Sequence, residues 1–223
     1  MNDPPGTLTE EAYRRLEEMI VTLELPPGQA VSEAILGRML GIGTTPIREA
    51  LQRLAREHLV RVLPRRGVVV TAVELDTLLQ VLETRRELDR LVARAAARRA
   101  TPTEREAIRR IGTRMLEAVR PETLREFMRL DGELNDALAA AARNAVLAAT
   151  TGTLQAVSRR FWFHHHRGAE QMAETARLHA ALAGAVADGD EGAAAAASDS
   201  LVAHLVRFAQ GTAPVLEPLA AGS

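Results

Sequence analysis

The feature of the sequence that most constrains the fold is a change of hydrophobic period close to residue 58. Before it, two amphipathic helical segments are joined by the tight turn Gly41-Ile42-Gly43, and two helices joined by a short glycine-containing turn form the skeleton of a helix-turn-helix. After it, short apolar segments at 59–63 and 68–71 flank the basic turn Pro64-Arg65-Arg66-Gly67, which predicts a β-hairpin. The combination predicts a winged helix-turn-helix.

Helical periodicity and capping residues predict where the helices of this unit begin. The first helix is expected over about residues 9–23 with Thr9 as its N-cap, and the second begins after the cap Ser32. Thr44 or Thr45 is expected to cap the third helix. The inward-facing residues of the second and third helices are then Ile35, Leu36, Met39, Leu40, Ile47, Leu51 and Leu54.

The remainder of the chain has the pattern of an all-helical domain. Its predicted helices cover residues 74–100, 103–119, 122–142, 145–166, 170–187 and 190–210. Aromatic residues make up only 3% of the chain, which favours helices over strands. We therefore predict a mainly α protein: an N-terminal winged helix-turn-helix at 8–73, an all-α helical-bundle domain for ligand binding and dimerisation at 74–211, and a disordered tail at 212–223.

Composition excludes several classes of protein. The 223 residues are 47% apolar, 26% charged and carry a net charge of -1, as in ordinary globular proteins. No uncharged apolar run approaches the ~20 residues that a membrane helix needs, and the first ten residues lack the basic flank and apolar core of a secretory signal. There is no cysteine, hence no disulfide and no Cys-ligated metal. We expect a cytoplasmic protein that does not associate with membranes.

Positive charge is concentrated in the third helix and the hairpin. Residues 43–67 hold six arginines and two glutamates, whereas residues 1–72 as a whole hold nine of each sign. The start of a recognition helix binds phosphate through hydroxyl and N–H groups, and an arginine one turn later, here Arg48, can reach a guanine edge. The candidate DNA-binding residues are Arg38, Thr44, Thr45, Arg48, Arg53, Arg65, Arg66 and Gly67.

These candidates divide into three roles. Arg48 is expected to contact a base, Arg38 and Arg53 to anchor the DNA backbone, and the wing tip Arg65-Arg66-Gly67 to enter the adjacent minor groove. The alternative is an exposed basic face that only solvates the domain.

The segment from Pro26 to Val70 resembles the DNA-binding domain of the GntR family of bacterial transcription regulators. The most specific elements are TPIREAL at 45–51 and PRRG at 64–67. The family usually has Ser-Arg where this chain has Gly43-Thr44, and that arginine often contacts DNA, so its absence bears on the operator sequence and on binding strength. The resemblance implies a homodimer that binds double-stranded DNA at a palindromic operator, usually as a repressor.

The rest of the chain more loosely resembles the FadR type of helical effector domain. The similar segments are ETRRELD at 83–89, LDGELN at 130–135, RLHAALAGAVADGD at 177–190 and DSLVAHL at 199–205. The resemblance implies that a small acidic metabolite binds in this domain and modulates DNA binding.

Many members of this subfamily also bind a divalent metal through Asp-x3-His on one helix and two histidines on later helices. Here Asp131 and His179 match, Asn135 takes the place of the first histidine, and His204 lies one turn beyond the usual last ligand position. Asparagine is a poor ligand for zinc but an acceptable one for a harder ion. No cofactor is firmly expected. The candidate metal ligands are Asp131, Asn135 and His179, and the alternative makes His179 and His204 hydrogen-bonded core histidines.

Arg85 lies on an otherwise apolar helical stripe, and a buried arginine needs a partner. One interpretation is an ion pair with Asp89 at i, i+4; the other is a guanidinium that faces a cavity and receives the carboxylate of an acidic metabolite. In the resembled family an arginine here commonly lines the pocket. The candidate effector-binding residues are Arg85, Asp131, Asn135, His179 and His204.

Two further alternatives stay open. The aromatic run that contains Trp162 is expected to pack in the core, and a pocket role for Trp162 or His165 is the alternative. A second functional hypothesis is a metal-dependent enzyme that uses Asp131, His179 and His204. That hypothesis lacks a nucleophile–base pair and a phosphate-binding glycine loop, so we expect no enzymatic activity.

Overall fold

The computed structural model describes residues 7–63, 67–72, 74–166 and 168–212. Within these ranges the N-terminal unit contains α1 (Leu8–Val21), β1 (Ala30–Val31), α2 (Glu33–Leu40), α3 (Thr44–Arg56), β2 (Val60–Leu63) and β3 (Gly67–Val70). The helical unit contains α4 (Leu75–Arg99), α5 (Pro102–Glu117), α6 (Leu124–Ala141), α7 (Ala145–His165), α8 (Ala169–Asp188) and α9 (Glu191–Gly211), with a 3-10 turn at Pro121–Thr123. The predicted fold class is confirmed: a winged helix-turn-helix precedes an all-α bundle.

The N-cap of the first helix lies two residues earlier than predicted. The N-cap is Thr7, whose side chain accepts a hydrogen bond from the Glu10 N–H. The predicted cap Thr9 is wrong because its hydroxyl instead donates to Glu49 of α3 at 2.7 Å. Thr9 therefore contributes to the contact between α1 and α3.

The caps of the next two helices show one correct prediction and one error. Ser32 caps α2 as predicted, since its hydroxyl oxygen accepts from the Ile35 N–H. The N-cap of α3 is Gly43, which makes no side-chain hydrogen bond. Thr44 and Thr45 both lie within the first helical turn, so the prediction that one of them caps α3 is wrong.

The buried face of α2 is narrower than the sequence pattern predicted. Leu36 and Leu40 are buried, but Ile35 and Met39 are 43% and 53% exposed. The helix has only eight residues and packs on α3 along one side, so an apolar residue on its outer flank remains in contact with solvent. The three predicted inner residues of α3, by contrast, are all buried.

The sheet contains one strand that the sequence pattern did not predict. The strand order is β1-β3-β2, and β1 pairs with β3 in an antiparallel arrangement with Val31 opposite Val68. A strand of two residues is too short to show a hydrophobic period. The predicted wing-tip residues Arg65 and Arg66, and tail residues 213–223, lie outside the described residues.

Gly67 allows β3 to approach β1. It has a φ of +93°, and a Cβ at this position would collide with the carbonyl oxygen of Val31. Only glycine adopts this conformation at this separation without strain. Gly67 therefore has a structural role in joining the wing to β1.

The six long helices form a bundle that packs directly on the N-terminal unit. Helix α4 packs against α9, α5 packs against α8, and α1 packs against α7. One apolar core continues through both units. The boundary predicted between residues 73 and 74 stays a prediction; β3 ends at Val70 and α4 begins at Leu75. Within the described part of the chain, no helix combines the length and the apolar character that crossing a bilayer requires.

Candidate functional sites

The start of α3 is open to solvent. Thr44 and Thr45 are exposed, and the N-terminus of the helix is not closed by a side-chain cap. The first N–H groups of a helix have no partner within the helix, and its dipole favours negative charge there. This end of α3 can therefore receive an anionic group such as a phosphate.

Arg48 lies one turn further along α3 and forms an exposed ion pair with Glu33 of α2. Its Nε and Nη2 donate to Glu33 Oε2 at 3.0 and 2.7 Å. The two-point contact fixes the direction of the guanidinium, although 58% of the Arg48 side chain remains exposed. Arg38 on α2 is exposed and makes no ion pair or hydrogen bond with any described residue.

Arg53 is held in the interface between α3 and α1. Its guanidinium lies 3.5 Å from the centre of the Tyr13 ring and pairs with Glu10 at 3.0 Å and with Glu57 at 3.2 Å. The Tyr13 hydroxyl donates to Glu57 at 2.9 Å. Burial raises the pKa of Glu57, although the hydrogen bond from Tyr13 and the charge of Arg53 act to lower it. These contacts give Arg53 a packing role between α1 and α3, while 43% of its side chain stays exposed, and its contact with the DNA backbone stays a prediction.

A small polar pocket lies within the helical bundle, between α4, α6, α7 and α8. Its volume is about 30 Å³, which is room for roughly two water molecules. Four of the five predicted effector-binding residues line it: Arg85, Asp131, Asn135 and His179. Among the other lining residues are Arg159 and Trp162 of α7.

Asp131 and His179 contact one another across the pocket. The His179 Nε2 lies 2.8 Å from Asp131 Oδ1, and its Nδ1 lies 2.8 Å from the carbonyl oxygen of Thr175. Both oxygens accept hydrogen bonds, so both ring nitrogens are positioned to donate. His179 is thus a hydrogen-bonded buried histidine that also lines the pocket, which combines the two interpretations of this residue.

Arg159 is the most important residue of the pocket that sequence reasoning missed. Its Nε lies 2.8 Å from Asp131 Oδ2, and its Nη2 donates to the Met128 carbonyl at 2.7 Å. Gly132 leaves room for the guanidinium, because a Cβ there would lie 2.9 Å from Nη2. Burial alone would raise the pKa of Asp131, but the hydrogen bond from His179 and the nearby Arg159 charge hold it below its ordinary value.

Arg85 satisfies both interpretations of its position. It is 5% exposed and pairs with Asp89, with Nη2 and Nε at 2.8 and 2.9 Å from Oδ2. It also lines the pocket. The ion pair therefore neutralises a guanidinium that can still contact a ligand.

Asp131, Asn135 and His179, the candidate metal ligands, line the same pocket, whereas His204 does not line it. The Nε2 of His204 lies 3.1 Å from the Thr175 hydroxyl, and burial lowers the pKa of His204. The Asn135 side chain reaches Asp131 only at 3.5 Å. Among the residues that the structure describes, no three histidine or carboxylate side chains gather as a metal site. The two arginines beside Asp131 are each paired with a further carboxylate, Arg85 with Asp89 and Arg159 with Glu17.

Trp162 contributes an unused hydrogen-bond donor. Its side chain is buried, lines the pocket and packs on Phe127, with ring centres 5.4 Å apart. Within the described part of the chain, its indole Nε1 has no hydrogen-bond partner. A buried polar group normally has one, so this N–H is available to a ligand. Trp162 thus fits both the core and the pocket alternatives.

The helical unit is joined to the N-terminal unit by arginines. Arg159 donates to Glu17 of α1 at 2.6 Å, and Arg125 of α6 pairs with Glu24. Arg160 is 2% exposed and donates to Thr71 at 3.3 Å. Desolvation by burial lowers its pKa to about 10. Consecutive arginines in a helical pattern resemble a solvated surface, so the sequence carried no clear signal for these contacts.

A winged helix-turn-helix packed on a helical bundle with a polar pocket is the architecture of a two-domain regulatory protein. Comparison with known families agrees with it: the FCD domain matches residues 80–205, and the family described as bacterial regulatory proteins, gntR family, matches residues 8–70. The chain belongs to the GntR family and carries an FCD domain, which is the FadR-type effector domain.

Individual relatives match parts of the chain. It is 44% identical over 68 residues to an uncharacterized HTH-type transcriptional regulator in an unstable DNA locus of Streptomyces ambofaciens, covering 30% of this chain and 29% of that protein. It is 25% identical over 136 residues to the HTH-type transcriptional repressor RspR of Escherichia coli K12, covering 61% and 60%. The chain thus spans 29% and 60% of the lengths of these two relatives.

Solved structures share the fold over nearly the whole chain. Escherichia coli McbR/YncC superposes with a TM-score of 0.79 at 18% identity, covering 92% of this chain and 98% of that one. A GntR-type regulator from Rhodococcus sp. RHA1 gives a TM-score of 0.68 at 17% identity, with the same coverage. The relatives and folds are those of regulators, and the hypothesis of an enzyme built on Asp131, His179 and His204 receives no support.

Proposed function

We propose that this protein is a DNA-binding transcription regulator whose affinity for DNA is changed by a small anionic molecule bound in the pocket. It binds a palindromic operator as a homodimer in the cytoplasm, and it acts as a repressor. The repressor RspR is one of its relatives, which supports the last point. A homodimer suits a palindromic operator because the two-fold axes of protein and DNA then coincide.

The exposed start of α3 carries the DNA-binding part of the proposal. Thr44 and Thr45 with their free helical N–H groups suit a phosphate, and the directed guanidinium of Arg48 suits a base edge. Arg38, exposed on α2 without an ion pair to a described residue, suits a phosphate contact. Gly67 supports the wing strand, and Arg53 supports the position of α3.

The pocket carries the effector part. Arg85, Arg159 and the Trp162 N–H place donors around one cavity, and guanidinium groups recognise carboxylates through paired hydrogen bonds. Asn135 and His179 are the further polar groups at hand, whereas His204 acts through Thr175. The donor set favours an anion over a divalent metal.

DNA binding is tested by selecting genomic fragments with the full-length protein and titrating them by fluorescence anisotropy across salt concentrations. We expect the affinity to fall steeply with salt, as counterions are released. Arg48→Ala should weaken binding by about tenfold to a hundredfold and relax specificity at one base position. Arg110→Ala, at an exposed position of α5, is the matched control and should leave affinity unchanged. Binding at low salt that Arg48→Ala does not alter would contradict this interface.

The effector class is tested by thermal unfolding with a panel of mono- and dicarboxylates, and separately with Zn²⁺, Ni²⁺ and Mn²⁺. A ligand that binds only the folded state raises the melting temperature. We expect stabilisation by at least one carboxylate and its loss in Arg85→Gln. Stabilisation by a metal alone, lost in His179→Gln, would instead establish the metal site.

A further inference from the structure

One side chain connects the pocket to the N-terminal domain. The Arg159 guanidinium has partners on three sides: Nε lies 2.8 Å from Asp131 Oδ2 as an ion pair without hydrogen-bond geometry, Nη2 donates to the Met128 carbonyl, and Nη1 donates to Glu17 of α1. We refer to Asp131, Arg159 and Glu17 as the arginine bridge. No other described ion pair joins a residue of the pocket wall to α1.

The bridge is shielded from water. The side chains of Arg159, Glu17 and Asp131 are 12%, 18% and 9% exposed. Charges in such surroundings interact more strongly than charges at the surface, because solvent screens them less. A change of partner at one end of this guanidinium therefore changes the strength of the interaction at the other end.

The bridge continues toward the recognition helix through α1. Tyr13 lies one turn from Glu17 on α1, and it contacts both Arg53 and Glu57. Glu10, on the same helix, pairs with Arg53. The helix that receives Arg159 is thus the helix that holds α3.

The pocket is small in the described conformation. Its volume of about 30 Å³ corresponds to roughly two water molecules. A larger anion displaces lining groups or extends out of the pocket, and it competes with Asp131 and Glu17 for the guanidinium of Arg159. Ligand binding and the contact with Glu17 then compete for one charged group.

We infer that Arg159 is the positioning residue that couples occupation of the pocket to the docking of α1, and through α1 to the position of the recognition helix. An anion that recruits Arg159 weakens its contact with Glu17. By linkage, a change in this contact alters ligand affinity and DNA affinity together. The inference rests on the proposed function and specifies which residue connects the pocket to the DNA-binding unit.

The test is a double-mutant cycle in the full-length protein with Asp131→Asn at the pocket and Glu17→Gln at α1. The first readout is amide hydrogen exchange of α1 without DNA. We expect Asp131→Asn to change the exchange rates of α1 by about fivefold or more when Glu17 is present, and by less than about twofold in the Glu17→Gln background. Equal effects of Asp131→Asn in both backgrounds would overturn the inference.

Two additional variants keep the test decisive. Glu24→Gln removes the exposed pair with Arg125, which also joins the two units but does not reach the pocket. With Glu24→Gln the effect of Asp131→Asn should persist in full; its loss would show general loosening of the interface and overturn a specific role for Arg159. If Asp131→Asn does not fold, His179→Gln perturbs Asp131 from the other side of the pocket and replaces it in the cycle.

The second readout separates this inference from the proposed function. The same variants are titrated with the DNA fragments selected by the native protein. Non-additive effects on both exchange and DNA affinity support the coupling. Native protein that binds no DNA at low salt refutes the proposed function, and the exchange cycle still decides whether Arg159 links pocket and α1. Specific DNA binding with additive effects in both readouts refutes the coupling alone.

Discussion

Arginines on the surface of α2 and α3 differ in environment from those beside the pocket of the helical bundle. On α2 and α3, Arg38 and Arg48 are both exposed, and Arg48 is paired with Glu33 at the surface. In the helical half, Arg85 and Arg160 are only 5% and 2% exposed, and the Arg159 side chain is 12% exposed. An exposed ion pair contributes little stability, whereas a buried one is costly to break because its partner remains desolvated. The surface arginines therefore suit recognition, and the buried arginines suit internal connection.

Glycine shows a parallel difference between the halves. Gly67 is required by the backbone, since it combines a positive φ with the close approach of Val31. Gly132 on α6 is required by a side chain, since it makes room for Arg159. The N-terminal unit is constrained by strand geometry and the helical unit by the packing of charged groups.

The largest expected effect comes from removing the buried charge that joins the halves. Arg159→Leu leaves Asp131 and Glu17 without their shared partner, and we expect a loss of about 3–5 kcal/mol in the free energy of unfolding. Arg125→Leu, which breaks the exposed pair with Glu24, should cost less than about 1 kcal/mol. Urea denaturation measures both. Equal losses would remove the distinction between buried and surface arginines.

A smaller effect is expected at the wing. Gly67→Ala gives a residue with a Cβ a left-handed backbone conformation and pushes that Cβ against the Val31 carbonyl. We expect a loss of about 1–3 kcal/mol in unfolding free energy. Gly28→Ala is the matched control, because Gly28 has a φ of +83° but nothing within 4 Å of a Cβ. The difference between the two variants isolates the contact with β1. If Gly28→Ala costs as much, the approach of the strands is not the constraint.

Arg38 tests the role of exposed arginines that contact phosphate. Arg38→Ala should lower affinity for selected and for random DNA by a similar factor, and should reduce the slope of log affinity against log salt by about 1. Anisotropy titrations over a range of salt concentrations measure this slope. A loss confined to the selected sequence would instead assign a base contact to Arg38.

Removal of a helix N-cap should have the smallest effect on the free energy of unfolding, and this effect should be similar in both halves. Ser32 caps α2 and Asn144 caps α7 by accepting a hydrogen bond from a backbone N–H three residues later. Ser32→Ala and Asn144→Ala should each lower the unfolding free energy by about 1 kcal/mol, as measured by thermal and urea denaturation. A much larger loss at one of them would mean that the halves differ in local helix stability as well as in their use of charge.

Local sequence patterns predicted the helical elements well and the polar contacts poorly. The six helices after residue 74 follow from apolar periodicity and from the breaks at Pro102 and Gly189, because these signals act within a few residues. The cap of α3 was misplaced, since glycine and threonine both suit an N-cap position. β1 was missed because its two residues become a strand only through pairing with β3.

Within the pocket, sequence reasoning found the residues with a family precedent or an unusual position on a stripe. Arg85, Asp131, Asn135 and His179 meet in one cavity as the patterns suggested. Arg159 escaped notice because an arginine beside another arginine on a helix resembles a surface residue. Its partners Glu17 and Met128 lie 142 and 31 residues away in the chain.

Local periodicity and short motifs were enough to place the helices, the winged helix-turn-helix and the arginine near the start of α3. The folded chain was needed to show which arginines face solvent and which are buried. It was also needed to show that Arg53 packs between α3 and α1 and that Arg159 joins the pocket to the N-terminal unit. The physical reason is that the burial and pairing of a charge depend on elements distant in the chain, which no local pattern records.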